Sequence, residues 1–159
     1  MLENSEIMDK ARRLYENNQY HEAISLLVSI LNYYNEANYY LAWCYYRLGD
    51  YANAEKYFSK CIEIGYEKTL SYIHKATCLY NLKEYEQAVI YRTIGEINNQ
   101  KSLVTIAKCY YNLGLYSKAY IYYSATLDFI IKNNLYEDLN DFVLLSKLYK
   151  HSAIELVSY

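Results

Sequence analysis

Residues 45–54 read Tyr45-Tyr46-Arg47-Leu48-Gly49-Asp50-Tyr51-Ala52-Asn53-Ala54, and the same signature occurs three more times in the chain. It stands earlier as Leu14-Tyr15-Glu16-Asn17-Asn18-Gln19-Tyr20-His21-Glu22-Ala23. Later it returns as Leu79-Tyr80-Asn81-Leu82-Lys83-Glu84-Tyr85-Glu86-Gln87-Ala88 and as Tyr110-Tyr111-Asn112-Leu113-Gly114-Leu115-Tyr116-Ser117-Lys118-Ala119. The common pattern is an apolar or aromatic residue, Tyr, x, Leu or Asn, x, x, Tyr, x, x, Ala. The copies start at 14, 45, 79 and 110, so the intervals are 31, 34 and 31. Self-similarity at this period marks supersecondary units that bury their apolar faces on one another.

Each unit divides into two amphipathic stretches around a short break. In the second unit Leu41, Cys44, Tyr45 and Leu48, then Ala54, Tyr57, Phe58, Cys61 and Ile62, fall at helical spacing. The pattern predicts helices near 4–17, 20–33, 36–48, 51–64, 69–82, 85–97, 100–113 and 116–132. Small residues recur where paired helices must approach closely. Ala11, Ala42, Ala76 and Ala107 hold one slot and Ala23, Ala54, Ala88 and Ala119 another. Cys44, Cys78 and Cys109 hold a third, with Arg13 as the exception, and Cys61 occupies a further small position. Breaks fall at Gly or Asn in most units (Asn17-Asn18, Asn35, Gly49, Gly65, Asn98-Asn99, Gly114, Asn133-Asn134), residues that tolerate the left-handed conformation ending a helix. The remaining break is Lys83-Glu84. Residues 135–150 place Leu135, Leu139, Phe142, Val143, Ser146 and Tyr149 on one face and read as a capping helix, since a stack of repeats needs a terminal cover. The apolar tail 151–159 extends that helix, packs back, or pairs with a second copy.

These features resemble the tetratricopeptide repeat family, best over Asn35 to Lys68, with Leu41-Ala42, Tyr45, Gly49-Asp50-Tyr51, Ala54, Phe58 and Cys61 in the family's positions. The resemblance covers about residues 4 to 133. It implies an all-α, right-handed α-solenoid of helix-turn-helix repeats in one domain, 1–159, with units 4–34, 35–68, 69–99 and 100–133 and a cap at 134–159. There are departures. Proline is absent where the family ends its second helix, and Tyr66 stands there in the best unit. In the third unit Lys75 replaces the usual Leu and Arg92 the usual aromatic. Two units are three residues short.

Composition removes several function classes. The 159 residues carry 16 Lys+Arg and 18 Asp+Glu, a net charge of −2 without a basic stripe, so a nucleic-acid partner is not expected. With no proline and four glycines the chain suits neither a turn-rich β fold nor a phosphate-cradling loop. The densest apolar run, Ile24 to Leu31, is too short for a membrane span, which takes about 18 residues, and the acidic start Met1-Leu2-Glu3-Asn4-Ser5-Glu6 lacks a signal peptide's apolar core. A cytoplasmic protein without a membrane partner is expected. The cysteines lack a C-x-x-C pair, so no metal site or cofactor is expected. His74 and Cys78 lie one helical turn apart, but Cys78 belongs to the packing face. No nucleophile, zinc or P-loop motif occurs. Acid pairs such as Glu84/Glu86 and Glu137/Asp138 sit at helix starts, where they complement the dipole. The chain does not read as an enzyme.

Tyrosine makes up 24 of the 159 residues. Tyr20, Tyr51, Tyr85 and Tyr116 recur at the turn into the second helix, and Tyr57, Tyr91 and Tyr122 within it, as packing residues. The family resemblance implies that first helices line a concave groove, which here holds Tyr15, Tyr39, Tyr40, Trp43, Tyr46, Ile73, His74, Tyr80 and Tyr111, bordered by Arg12, Arg47, Lys101 and Lys108. Trp, Tyr and Arg dominate binding hot spots. A purely architectural tyrosine stripe is the competing reading. The expected partner is another protein or peptide segment, with self-association through the apolar C-terminal tail as a further route. The alternatives are a scaffold subunit of a larger assembly and a protein similar to the tetratricopeptide secretion chaperones. The family's carboxylate clamp for chaperone termini needs Lys, Asn, Asn, Lys and Arg. This sequence offers Met8, Arg12, Tyr40, Leu70 and His74, or Tyr39, Trp43, His74, Lys101 and Thr105, so that ligand is disfavoured.

Overall fold

The computed structural model describes residues 3–95 and 100–133, and in the C-terminal segment 150–151, 153–154 and 157. Eight helices are found among these residues: α1 (Asn4–Glu16), α2 (Tyr20–Ser29), α3 (Asn35–Arg47), α4 (Tyr51–Ile64), α5 (Lys68–Asn81), α6 (Tyr85–Gly95), α7 (Gln100–Asn112) and α8 (Tyr116–Asn133). All described secondary structure is helical. The expected capping helix at 135–150 lies outside the described residues apart from its last position.

The helices match the expected ones closely, with one informative shift. The helix expected to run to residue 33 ends at Ser29, while residues 96 and 97 of the one expected to reach 97 lie outside the described residues. α2 is the second helix of a short unit. It has 10 residues, against 14 in α4. In the first unit the missing three residues are thus taken from the second helix, while the first helices keep 13 or 14.

The signature's turn is built the same way each time. Asn18, Gly49, Lys83 and Gly114 hold one slot and all have positive φ, at 61°, 79°, 66° and 71°. The next residue is the N-cap. Its carbonyl accepts from the signature alanine four residues on: Ala23 to Gln19, Ala54 to Asp50, Ala88 to Glu84 and Ala119 to Leu115. At Asp50 the side chain also caps, Oδ1 accepting from the Asn53 backbone N–H at 3.1 Å.

The chain forms two compact units, residues 1–83 and 84–159. In the first, α1 to α5 pack in sequence order, each on the next. Met8, Ala11, Ala23, Leu27, Ile30, Ala37, Leu41 and Cys44 form one core cluster, and Ala42, Ala54, Phe58 and Cys78 the next. In the second unit α7 packs on both α6 and α8, around Ala107, Ala119, Tyr123 and Ile130. Every alanine of the two recurrent slots is fully buried, as are all four cysteines. The thiols are free. Burial pushes Cys44, Cys78 and Cys109 up to about 12 and Cys61 up to about 11.

The two polar departures in the third unit are accommodated differently. Lys75 Nζ donates to Ser59 Oγ at 2.8 Å and pairs with Glu55 at 2.9 Å, so α4 supplies the counter-charge that this half-buried ammonium needs. Arg92 is 5% exposed, and its charge opposes the burial effect on the Cys109 thiol.

Candidate peptide-binding surface

Helix periodicity brings aromatic residues of α1, α3 and α5 into contact in two groups within the first unit. On α3, Tyr39, Trp43 and Tyr46 lie three or four residues apart and so share a stripe. Trp43 is its hub. Its ring lies 5.5 Å from Tyr46, 6.3 Å from Tyr39 and 4.5 Å from His74 of α5, each edge-on. Beneath them is Phe58 of α4, fully buried, 5.7 Å from Trp43 and 5.2 Å from His74. Edge-to-face contacts at these separations contribute beyond area burial. Tyr39 also meets Tyr66 at 5.9 Å, so the tyrosine standing where the family has proline closes one end of the ring cluster. Tyr51 closes the other, 5.4 Å from Tyr46.

A second group sits on α1 and α3. Tyr15 contacts Tyr40 edge-on at 5.5 Å and Tyr20 at 5.8 Å. Hydrogen bonding to Tyr15 raises the Arg47 guanidinium, which is otherwise exposed to solvent. Arg12 is committed elsewhere. It donates to Glu36 of α3 at 2.6 Å and to Asp9 at 3.1 Å, and the Glu36 bond raises it further. It braces α1 against α3, and a ligand would find its charge already neutralised. Burial pushes the Tyr39, Tyr40 and Tyr46 phenols above their usual value, so they remain neutral hydroxyls across the working pH range.

The structure therefore gathers Tyr39, Trp43, Tyr46 and His74 into one cluster and Tyr15, Tyr40, Arg12 and Arg47 into another. Ile73 and Tyr80 are half-buried on α5. In the second unit Lys101 is exposed, and Lys108 and Tyr111 are half-buried on α7. Tyr111 meets Tyr116 at 5.5 Å and His151 at 5.7 Å, and His151 also lies 6.3 Å from Tyr116. His151 thus contacts a first-helix tyrosine. The sequence does not mark Phe58 and Tyr66 as supports of the cluster, because Phe58 falls at core spacing and Tyr66 at the end of the unit's second helix.

Tyr45 and Tyr57 stack with centroids 5.7 Å apart, as do their repeat equivalents Tyr110 and Tyr122 at 5.5 Å. That pairing is architectural, one layer per tyrosine-bearing unit.

The described residues contain no group of three or more metal-ligating side chains. None of the described helices is long and apolar enough to cross a membrane. Residues 8–65 match the tetratricopeptide repeat family in sequence. Solved structures share the fold at low identity. MamA from Desulfovibrio magneticus RS-1 is 15% identical, with 98% of this chain and 92% of that one covered and a TM-score of 0.74. The Yersinia enterocolitica type III secretion chaperone SycD, in complex with a peptide of the translocator YopD, is 18% identical over 76% of this chain and 92% of that one, TM-score 0.65. The TPR2B domain of yeast Sti1, in a complex with pHsp70, is 17% identical over 76% and 97%, TM-score 0.64. No curated protein sequence matches the chain. The chain thus shares the all-α helix-turn-helix fold of these proteins, with the tetratricopeptide repeat matched in sequence over residues 8–65.

Proposed function

We propose that the chain is a non-catalytic interaction module that holds a segment of another protein on the first-helix face of residues 1–83. The carrying observation is the Trp43 hub: a half-buried indole ringed by Tyr39, Tyr46 and His74, resting on a rigid floor at Phe58. Aromatic side chains held in place by packing lose little entropy on binding, which suits them to hot-spot roles. The neutral phenols offer hydroxyl donors and acceptors to a peptide backbone, and Arg47 offers a charge at the margin. Peptide complexes of similarly folded proteins, SycD with a YopD peptide among them, support this reading. Four free, buried thiols suit action in a reducing compartment such as the cytoplasm.

The lone tryptophan makes the test direct, since Trp43 emission reports on this surface alone. Peptides selected from a random display library against the protein should shift that emission on binding. They should also bind Arg47→Glu, an exposed change whose one structural cost is the bond to Tyr15, at least several-fold more weakly if acidic or backbone groups are read there. Selected peptides that leave Trp43 emission unchanged and bind the variant equally would place recognition elsewhere.

A further inference from the structure

The repeats provide an internal control for which surface residues the fold itself requires. On the second helices, the positions two and six residues after the signature alanine face outward. They are Ser25 and Ser29 in α2 and Lys56 and Lys60 in α4; in α8 they are Ile121 and Ala125, and in α6 Ile90 and Ile94. The two isoleucines of α6 are 53% and 54% exposed. The N-cap slot changes in the same direction. It holds Gln19, Asp50 and Glu84 in the first three units and Leu115, 44% exposed, in the fourth. A leucine cannot accept from the helix's free N–H groups, so the exchange gives up the capping that Asp50 supplies. Ile90 and Leu115, one from each exchange, line the same cavity.

That cavity, of about 500 Å³, lies within the second unit. Val89 and Ile90 of α6 form one wall, with Glu86 at its edge; Leu113 and Leu115 of the α7–α8 turn form the other, with Lys118 at its edge. Lys118 also lies over the Tyr110 ring at 5.3 Å. An apolar centre with one acid on one wall and one base on the other is self-complementary. A two-fold axis through it sets Glu86 of each copy against Lys118 of its partner while the isoleucines and leucines meet at the middle.

We propose that this face of α6 and the α7–α8 turn is the contact through which a second copy of the chain docks, as an isologous dimer. The surface shares no residue with the proposed peptide face, so either can fail without the other.

Sedimentation equilibrium over a range of concentrations, with circular dichroism on the same samples, tests it. The wild type should associate to a dimer. Leu115→Asp restores the residue type of Asp50 at the cap, so it should keep or raise the melting temperature while weakening association at least tenfold; Ile90→Ser, the residue of α2, should weaken it likewise. Glu86→Lys and Lys118→Glu should each be monomeric alone and should associate when mixed, because each copy then presents the charge the other lacks. A wild type that is monomeric at all concentrations overturns the proposal. So does a dimer that survives Leu115→Asp and Ile90→Ser, which would lie on another face, and so does failure of the two charge variants to pair.

Discussion

Trp43 is the only tryptophan, and its environment sets what its removal does. Because the indole rests on fully buried Phe58, Trp43→Ala exposes core as well as removing a contact surface, and thermal or urea unfolding should show a loss of about 2 kcal/mol, below the range for a fully buried ring. An unchanged stability would show that the ring is free of the core. Ala54 is buried between α3 and α4 without exposure, so Ala54→Leu should destabilise by about 1–3 kcal/mol through overpacking, read as a lower urea midpoint. The small-residue slots were fully legible in the sequence because close helix approach admits few side chains. Arg12 was not. Its place at the groove margin followed from its unit position, but nothing local announced Glu36, twenty-four residues on, as its partner. Long-range ion pairs leave no periodic trace.

At the scale of elements, the turn between paired helices needs one residue at positive φ. Asn18, Gly49 and Gly114 tolerate that conformation, whereas Lys83 at 66° pays the steric cost of its Cβ. Lys83→Gly should therefore stabilise by about 1 kcal/mol, measured as a higher melting temperature. A lower one would mean that the lysine side chain contributes more than its backbone costs. Helix number and order were readable from the four signatures, as were the starts of the second helices α2, α4, α6 and α8, because each of these is fixed by the Tyr-x-x-Ala that follows the turn. The end of α2 was not, since the sequence shows that a unit is three residues short without showing which helix loses the turn. The first helices keep their full length, consistent with their carrying the aromatic face.

Over the whole molecule, four fully buried thiols with raised pKa tie stability to alkaline pH. Below about pH 9 they are protonated in both the folded and unfolded chain. From there to about 11 or 12 the unfolded chain releases protons that the folded chain retains, so the folded state is increasingly disfavoured. Melting temperature should hold from pH 7 to 8 and fall steadily above 9, and thiol reagents should react at the rate of unfolding. Fast native-state labelling would show an accessible cysteine. The repeat architecture was legible from four registered signatures, whereas the grouping of the aromatic face into a Trp43 cluster and a Tyr15–Tyr40 cluster required the fold, because it depends on rings from α4 and from the turn before α5. The central claim is that the Trp43 cluster holds a peptide, and the most direct measurement is a fluorescence titration of library-selected peptides against wild type and Tyr46→Ala, at a temperature where circular dichroism shows both folded. The account predicts a Trp43 emission shift on binding and at least a tenfold loss of affinity in the variant. Binding of equal strength to both proteins, with Trp43 emission undisturbed, would contradict it.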